Sequence, residues 1–201
     1  MASEGSMSAN LINRVRAILL RPKEEWKVID AEQADIATLY RTYVLPLAAI
    51  GPIAAFIGSA LIGTNTVVGS IRIPIGNALV GAVVSYALAL IGVYVVARVI
   101  DYFAPQNSGT ANQVQAFKVA AYSSTAQWVA GIFLLIPGLG VLSILGLYSL
   151  YLLYLGLPIL MKVPAEKTMA YTITVVVVSI VISIIIAAIS GIIIGTAALS
   201  L

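Results

Sequence analysis

The sequence predicts an all-α membrane protein: five transmembrane helices preceded by a short amphipathic N-terminal helix. Three observations carry that expectation. Hydrophobic residues make up 61% of the 201 residues and charged residues 9%, where a soluble domain carries about a quarter charged; mean hydropathy is +1.05. Five apolar stretches, at about 41–63, 76–100, 114–136, 139–161 and 169–195, each exceed the roughly 20 residues that cross about 30 Å of hydrocarbon. Ahead of them, Leu11, Ile12, Val15, Ile18 and Leu19 repeat at helical spacing within residues 8–21.

The order along the chain begins with residues 1–7, which end on a second methionine, Met7, and read as an expression leader. No cleavable signal peptide is expected after them, because residues 8–35 hold no uninterrupted apolar core. Residues 8–40 form the amphipathic cytoplasmic lead. Its basic side, with Arg14, Arg16, Arg21 and Lys23, suits the headgroup plane of an anionic leaflet. The same apolar stripe also suits packing on the protein's own cytoplasmic loops. Pro22 stops the first helix and fits the first turn of a second. Glu24 and Glu25 favour that helix's N-terminus, and Trp26 is expected as an interfacial anchor.

Residues 41–201 are the five-span domain. Arg14, Arg16, Arg21, Lys23, Lys27 and Arg41 precede the first span, Arg98 and Lys118 flank the second loop, and Lys162 and Lys167 flank the fourth. Only Arg72 falls on the other side. The positive-inside rule then puts the N-terminus in the cytoplasm and the C-terminus outside, in a bacterial inner membrane. Arg98 and Asp101, three apart, are expected to pair.

Small residues recur every fourth position. Gly51, Ala55, Ser59 and Gly63 do so in the first span, Gly81, Ser85 and Ala89 in the second, and Ser179, Ser183, Ala187, Gly191 and Gly195 in the fifth. Such stripes let backbones approach closely. Most must pack internally; Ser183, Ala187, Gly191 and Gly195 are the candidate face for a homo-oligomer.

The stretch Gly146–Pro164, GLYSLYLLYLGLPILMKVP, carries Tyr148, Tyr151 and Tyr154 on one side of a helix. Two of them fall well inside the span, where a phenol hydroxyl needs a partner. A hairpin folded at Gly138 sets Tyr148 opposite Trp128, Tyr151 opposite Thr125 and Tyr154 opposite Tyr122. The polar run Tyr122, Ser123, Ser124, Thr125 and Gln127 then meets the tyrosines in one intramembrane seam. The seam reads as helix–helix packing with hydrogen bonds, or as a polar face lining a ligand site or path. No span holds a deep Asp, Glu, Lys or Arg, which argues against ion-coupled transport.

RVRAILLRPKEEWKVI near the N-terminus, KVAAYSSTAQWVAGIFLLIPGLG in the middle, and YSLYLLYLGLPILMKVP before a Val/Ile-rich last span resemble the Yip family, also called YIPF, in its compact bacterial form. The resemblance covers nearly the whole chain after residue 8. It implies five spans and a cytoplasmic N-terminus. Family members often carry proline in the segment where Ser124, Thr125 and Ala126 stand here. Eukaryotic members add a long cytoplasmic region and work with Rab-type GTPases in vesicle traffic. This chain has only its short lead, so that partner class does not carry over.

Cysteine and histidine are absent, which removes disulfides, thiolate nucleophiles, Cys/His metal sites and His-based triads. Ser123 and Ser124 have no histidine or nearby lysine to activate them. No enzyme, cofactor or metal is expected. The net charge of +3 bears on topology, and no nucleic-acid partner is expected. The expected partners are the lipid bilayer, proteins of unknown identity and a second copy of the chain. The first functional reading is a non-enzymatic protein that organises membrane or partner proteins; the alternative is a small-solute or ion channel or transporter built on the seam.

Overall fold

In the computed structural model, residues 2–66 and 69–200 are described, with side chains for 10–63 and 72–192. Helix α1 spans Ala2–Leu20 and α2 spans Pro22–Ala31, with Pro22 at the first helical turn and Glu24 and Glu25 beside it. A long irregular helix, α3 (Ile36–Ile62), follows. Asp35 caps it by accepting from the Thr38 backbone N–H at 2.9 Å and the Thr38 hydroxyl at 2.6 Å. Those two bonds hold the Asp35 carboxyl below its usual range. Two π-helical turns, Tyr40–Val44 and Ile57–Ile62, interrupt α3. Pro46 and Pro52, which lack the N–H that an α-helical ladder needs, lie between them.

A two-stranded ribbon, β1 (Thr64–Thr66) and β2 (Gly69–Ile71), pairs antiparallel and leads into α4 (Ile75–Phe103). Then come α5 (Gln113–Ser123), α6 (Thr125–Ala130), 3-10 turns at Gly131–Leu135 and Leu139–Leu147, α7 (Tyr148–Leu160) and α8 (Ala165–Ser200).

Among the described residues, four helices are long and apolar enough to cross a membrane: Ile36–Ile62, Ile75–Phe103, Leu139–Leu160 and Ala165–Ile192. The third predicted span, 114–136, is not among them. It breaks at Ser124 and passes into 3-10 turns at Gly131. The break needs no proline. The Ser124 hydroxyl donates to Ala120 O at 2.8 Å and Thr125 Oγ1 to Tyr122 O at 2.7 Å, and such back-bonding bends helices. The segment is also the centre of the bundle: Ala116 to Ser123 are all buried. A helix walled by protein has no lipid to satisfy, so it tolerates polar residues that a lipid-facing span does not.

Residues expected on the cytoplasmic side meet at one end of the bundle. Lys162 pairs with Asp30 at 2.5 Å, and Lys167 donates to the Ser108 hydroxyl at 2.7 Å. Arg98 and Asp101 stand 3.9 Å apart as expected for an i,i+3 pair. Lys118, expected at a loop flank, is instead 2% exposed within α5. Its ammonium donates to Ile29 O at 2.8 Å and Glu32 O at 2.5 Å. It thus caps the C-terminus of α2, where carbonyls lack helical partners and the helix dipole favours a cation.

At the opposite end the chain turns at Gly138 (φ +97°), a left-handed conformation that glycine adopts without strain. There α3 crosses the 3-10 segment with backbones in contact. A Cβ on Gly131 would stand 2.8 Å from Gly51 Cα, and one on Gly58 2.2 Å from the Leu134 carbonyl oxygen. The first-span small-residue stripe is therefore internal at Gly51.

Candidate functional site

The charged and aromatic groups of α1 and α2 gather where the sequence suggested lipid contact. Pro22 lets α2 fold back beside α1. Arg14 then meets Glu25 and Glu32, one carboxylate on each terminal nitrogen of its guanidinium. Arg14 also lies over the Tyr122 ring, 5.8 Å from its centroid. Burial opposes its charge, but Glu32, by hydrogen bond and by field, together with Tyr122 and Glu25, outweighs it and raises the Arg14 pKa. A group raised above its unfolded value contributes stability that is full below that value and lost above it. Arg14 therefore holds the contact at every physiological pH, and the contribution disappears only in strong alkali.

Below Arg14 lies an aromatic stack. Tyr43 and Tyr122 have ring centroids 4.5 Å apart, and Trp26 meets Tyr122 edge-on at 6.3 Å. Tyr43 is presented by the first π-helical turn of α3, and its hydroxyl lies 2.6 Å from Thr125 Oγ1. Thr125 already donates to Tyr122 O, so Tyr43 is the donor. Trp26, expected as an interfacial anchor, is fully buried. Its indole lies against Gly156, where a Cβ would come within 2.7 Å of Trp26 Cζ2. The missing side chain at 156 is what admits the ring. Arg14 and Trp26 are thus internal contacts of the lead, while Arg16, Arg21 and Lys23 are exposed.

Between α1, α2 and the Tyr43–Tyr122 pair is a cavity of about 820 Å³, with Arg14, Arg21 and Glu25 in its wall. At its rim Leu20 is 76% exposed, and Val28 is also exposed. The Tyr148 hydroxyl donates to Leu19 O at 3.1 Å, which sets the α1–α2 turn beside α7.

The proposed seam divides in two. Tyr122, Ser123, Thr125 and Trp128 are buried and Ser124 is half-buried, but Tyr122 and Thr125 find their partners on α1, α2 and α3, and Ser123 and Ser124 donate within their own helix to Ala120 O. Tyr148, Tyr151 and Tyr154 do not face them; they are 36%, 41% and 37% exposed. The antiparallel hairpin brings Gln127 N–H to Ser149 Oγ at 3.0 Å, yet α7 is turned so that Leu152, Leu153, Gly156, Leu157 and Leu160 point inward. Small and leucine side chains let the helices come closer than three phenol rings would, and close packing decides the rotation. Tyr148 and Tyr151 pack on each other at 5.4 Å on the outer surface.

Gln127 itself is exposed towards cavities between α3, α4, α7 and α8. Ser183 and Ala187 line one of these facing α4, and Gly191 has nothing within 4 Å of a Cβ position. The Gly195 side-chain position lies outside the described residues. Sequence reasoning missed Tyr43, Glu25, Glu32 and Lys118 as site members. The one signal was Pro22, which allows acidic residues after it to fold back on basic ones before it.

The model of the Yip1 domain family matches residues 16–187. The chain is 31% identical over 166 residues to the inner membrane protein YohC of Escherichia coli K12, covering 80% of this chain and 85% of that protein. The same figures hold for YohC of Escherichia coli O6:H1. No solved structure matches.

Proposed function

The chain belongs to the Yip1 domain family, and from that membership we propose that it is a non-enzymatic inner-membrane protein that organises the cytoplasmic leaflet, and partner proteins with it, around a docked amphipathic cap. One observation carries the reading: the α1–α2 pair, clamped by Arg14 and tied to the bundle through Tyr148, Lys118 and Lys162, presents at its turn Leu20, 76% exposed, beside exposed Arg16, Arg21 and Lys23. An apolar tip ringed by cations suits the headgroup boundary of an anionic leaflet. Counted from Gly138, through 3-10 turns of about 2.0 Å per residue and α-helix of 1.5 Å, the outer face with Tyr148, Tyr151 and Tyr154 begins about 20 Å along. That level falls toward the cytoplasmic edge of a core about 30 Å thick, where tyrosines form belts.

The test is lipid enrichment. In nanodiscs excised from mixed bilayers, phosphatidylglycerol is expected to exceed its bulk fraction around the wild type. Arg16→Glu/Arg21→Glu/Lys23→Glu should return it to bulk. Bulk composition around the wild type would refute the reading.

In this reading α5 and α6 complete a fifth crossing inside the bundle, with the N-terminus in the cytoplasm and the C-terminus outside. Cysteines at Ser108 and Ser200 are then expected to react with an impermeant reagent from opposite sides; same-side labelling defeats the topology. The outer half of α8, with Ile184, Ile185, Ile189 and Ile192 exposed and Gly191 open, is the face we assign to a second copy. Gly191→Leu is expected to shift the detergent-free mass toward the monomer, and an unchanged mass removes that contact.

A second reading, a small-solute channel or transporter, draws on the hydroxyl and amide lining around Gln127. Flux in proteoliposomes separates the two. Absence of flux across common cations, anions and small metabolites sinks transport, and flux lost in Gln127→Leu with unchanged thermal stability favours it.

A further inference from the structure

Three cavities inside the bundle meet at Gln127. One, of about 690 Å³, lies between α3, α4 and the 3-10 turns, walled by the facing small-residue stripes. A second, of about 530 Å³, lies between α7, α8 and the Leu139–Leu147 turns. A third, of about 350 Å³, separates α4 from α8. These are the sizes of small-molecule sites. Gln127 stands in the wall of all three, and among the described residues no Asp, Glu, Lys or Arg lines any of them.

The polar lining includes Ser85, Ser124, Ser143, Ser179 and Ser183 with Gln127, and Asn77 on the α4 side of the first cavity. Ser124 and Ser183 are satisfied within their helices, donating to Ala120 O and Ser179 O at 2.8 Å each. Ser143 and Ser179 are not: their hydroxyls are enclosed and have no hydrogen-bond partner. The Gln127 backbone N–H donates to Ser149, but its side-chain amide, two donors and an acceptor, has no partner among the described residues. Hydrocarbon supplies none, so the exposed Gln127 amide calls for an occupant that does, and the enclosed Ser143 and Ser179 hydroxyls meet it on turning toward the cavity.

We infer that the space around Gln127, where these cavities adjoin, binds an uncharged lipid with a free hydroxyl head, of the diacylglycerol class. The inference stands apart from the leaflet reading above. A hydroxyl both donates and accepts, as does the lining: it can give its proton to the Gln127 amide oxygen and accept from the amide nitrogen or a serine. A phospholipid phosphate would find no cation. The mouth is framed by exposed Ile144, Leu147 and Leu150 on one side and Ile180 on the other, so entry is from the bilayer. Val96, Leu153 and Val176 line the same space and suit acyl chains. Ser179 lies about 20 Å along α8 from Ala165, beyond the headgroup layer.

The experiment uses the full chain in proteoliposomes with a diacylglycerol bearing a diazirine on one acyl chain. Cross-linking is expected to saturate, to map to α4, α8 and residues 139–150, and to fall several-fold with excess unlabelled diacylglycerol but not with phosphatidylglycerol of the same chains. Gln127→Leu is expected to reduce it at least five-fold, and Ser179→Ala, a change too small to disturb folding, to weaken it measurably. Labelling that does not saturate, competition by phosphatidylglycerol to the same degree, or wild-type labelling in both variants would overturn the site.

Discussion

Arg14→Met is expected to release α1 from α2 and from the Tyr122 ring. The methionine keeps most of the packing volume, so the loss is electrostatic. Glu25 and Glu32 would then face each other and the Tyr122 ring without their cation. Removing one partner of a buried pair costs about 3–5 kcal/mol. Arg14 and Glu25 retain 20% and 15% of their side-chain exposure and Glu32 retains 38%, so solvent screens part of this and about 2 kcal/mol is expected. The readout is limited trypsin digestion, since cleavage at the already exposed Arg16 and Arg21 requires the helical backbone around them to open, which detachment of α1 allows. Cleavage should accelerate by more than ten-fold, and Arg14→Met combined with Glu25→Gln and Glu32→Gln should recover part of the protection. Unchanged cleavage would mean that α1 is held in place without the Arg14 ion pairs.

Gly58→Leu is the second large effect. A Cβ at 58 would stand 2.2 Å from the Leu134 carbonyl oxygen and 3.1 Å from that of Leu135. Both obstacles are backbone, so no rotamer change relieves the clash and α3 must move off the 3-10 segment. Overpacking of this kind costs about 3 kcal/mol or more, which for a chain of this size lowers the melting temperature by about 10 °C. Gly138→Ala supplies the contrast. Nothing lies within 4 Å of its Cβ position, and only the φ of +97° opposes the change, at about 1 kcal/mol. If the two variants melt alike, the α3 crossing is looser than described.

These residues also mark what was legible beforehand. Long lipid-facing helices announce themselves through uninterrupted apolar runs, and four of the predicted stretches became such helices. The third did not, because it breaks at Ser124 and its buried Lys118 and Ser123 are surrounded by protein, and hydropathy does not distinguish protein from water as the partner of a polar group. The tyrosine stripe was visible as a period, but a period does not say which way the face turns. Gly156, which admits Trp26, and Ser149, which meets Gln127, decided that rotation. Trp26 and Arg14 are of types that favour interfaces; only the fold-back at Pro22 brings Glu25, Glu32 and Gly156 to them. The candidate seam was half legible: Tyr122 and Thr125 are central, yet their partner Tyr43 sits 82 residues away from Thr125 in the chain.

The central claim is that the α1–α2 turn rests in the cytoplasmic leaflet while locked to the bundle. Because the chain has no cysteine, Leu20→Cys carries a single environment-sensitive fluorophore without background. In bilayers containing phosphatidylglycerol, lipids brominated near the headgroup are predicted to quench it strongly and aqueous iodide weakly, and Arg21→Glu/Lys23→Glu should reverse that order. Equal iodide quenching in anionic and purely zwitterionic bilayers, with no effect of the brominated lipid, would contradict the account.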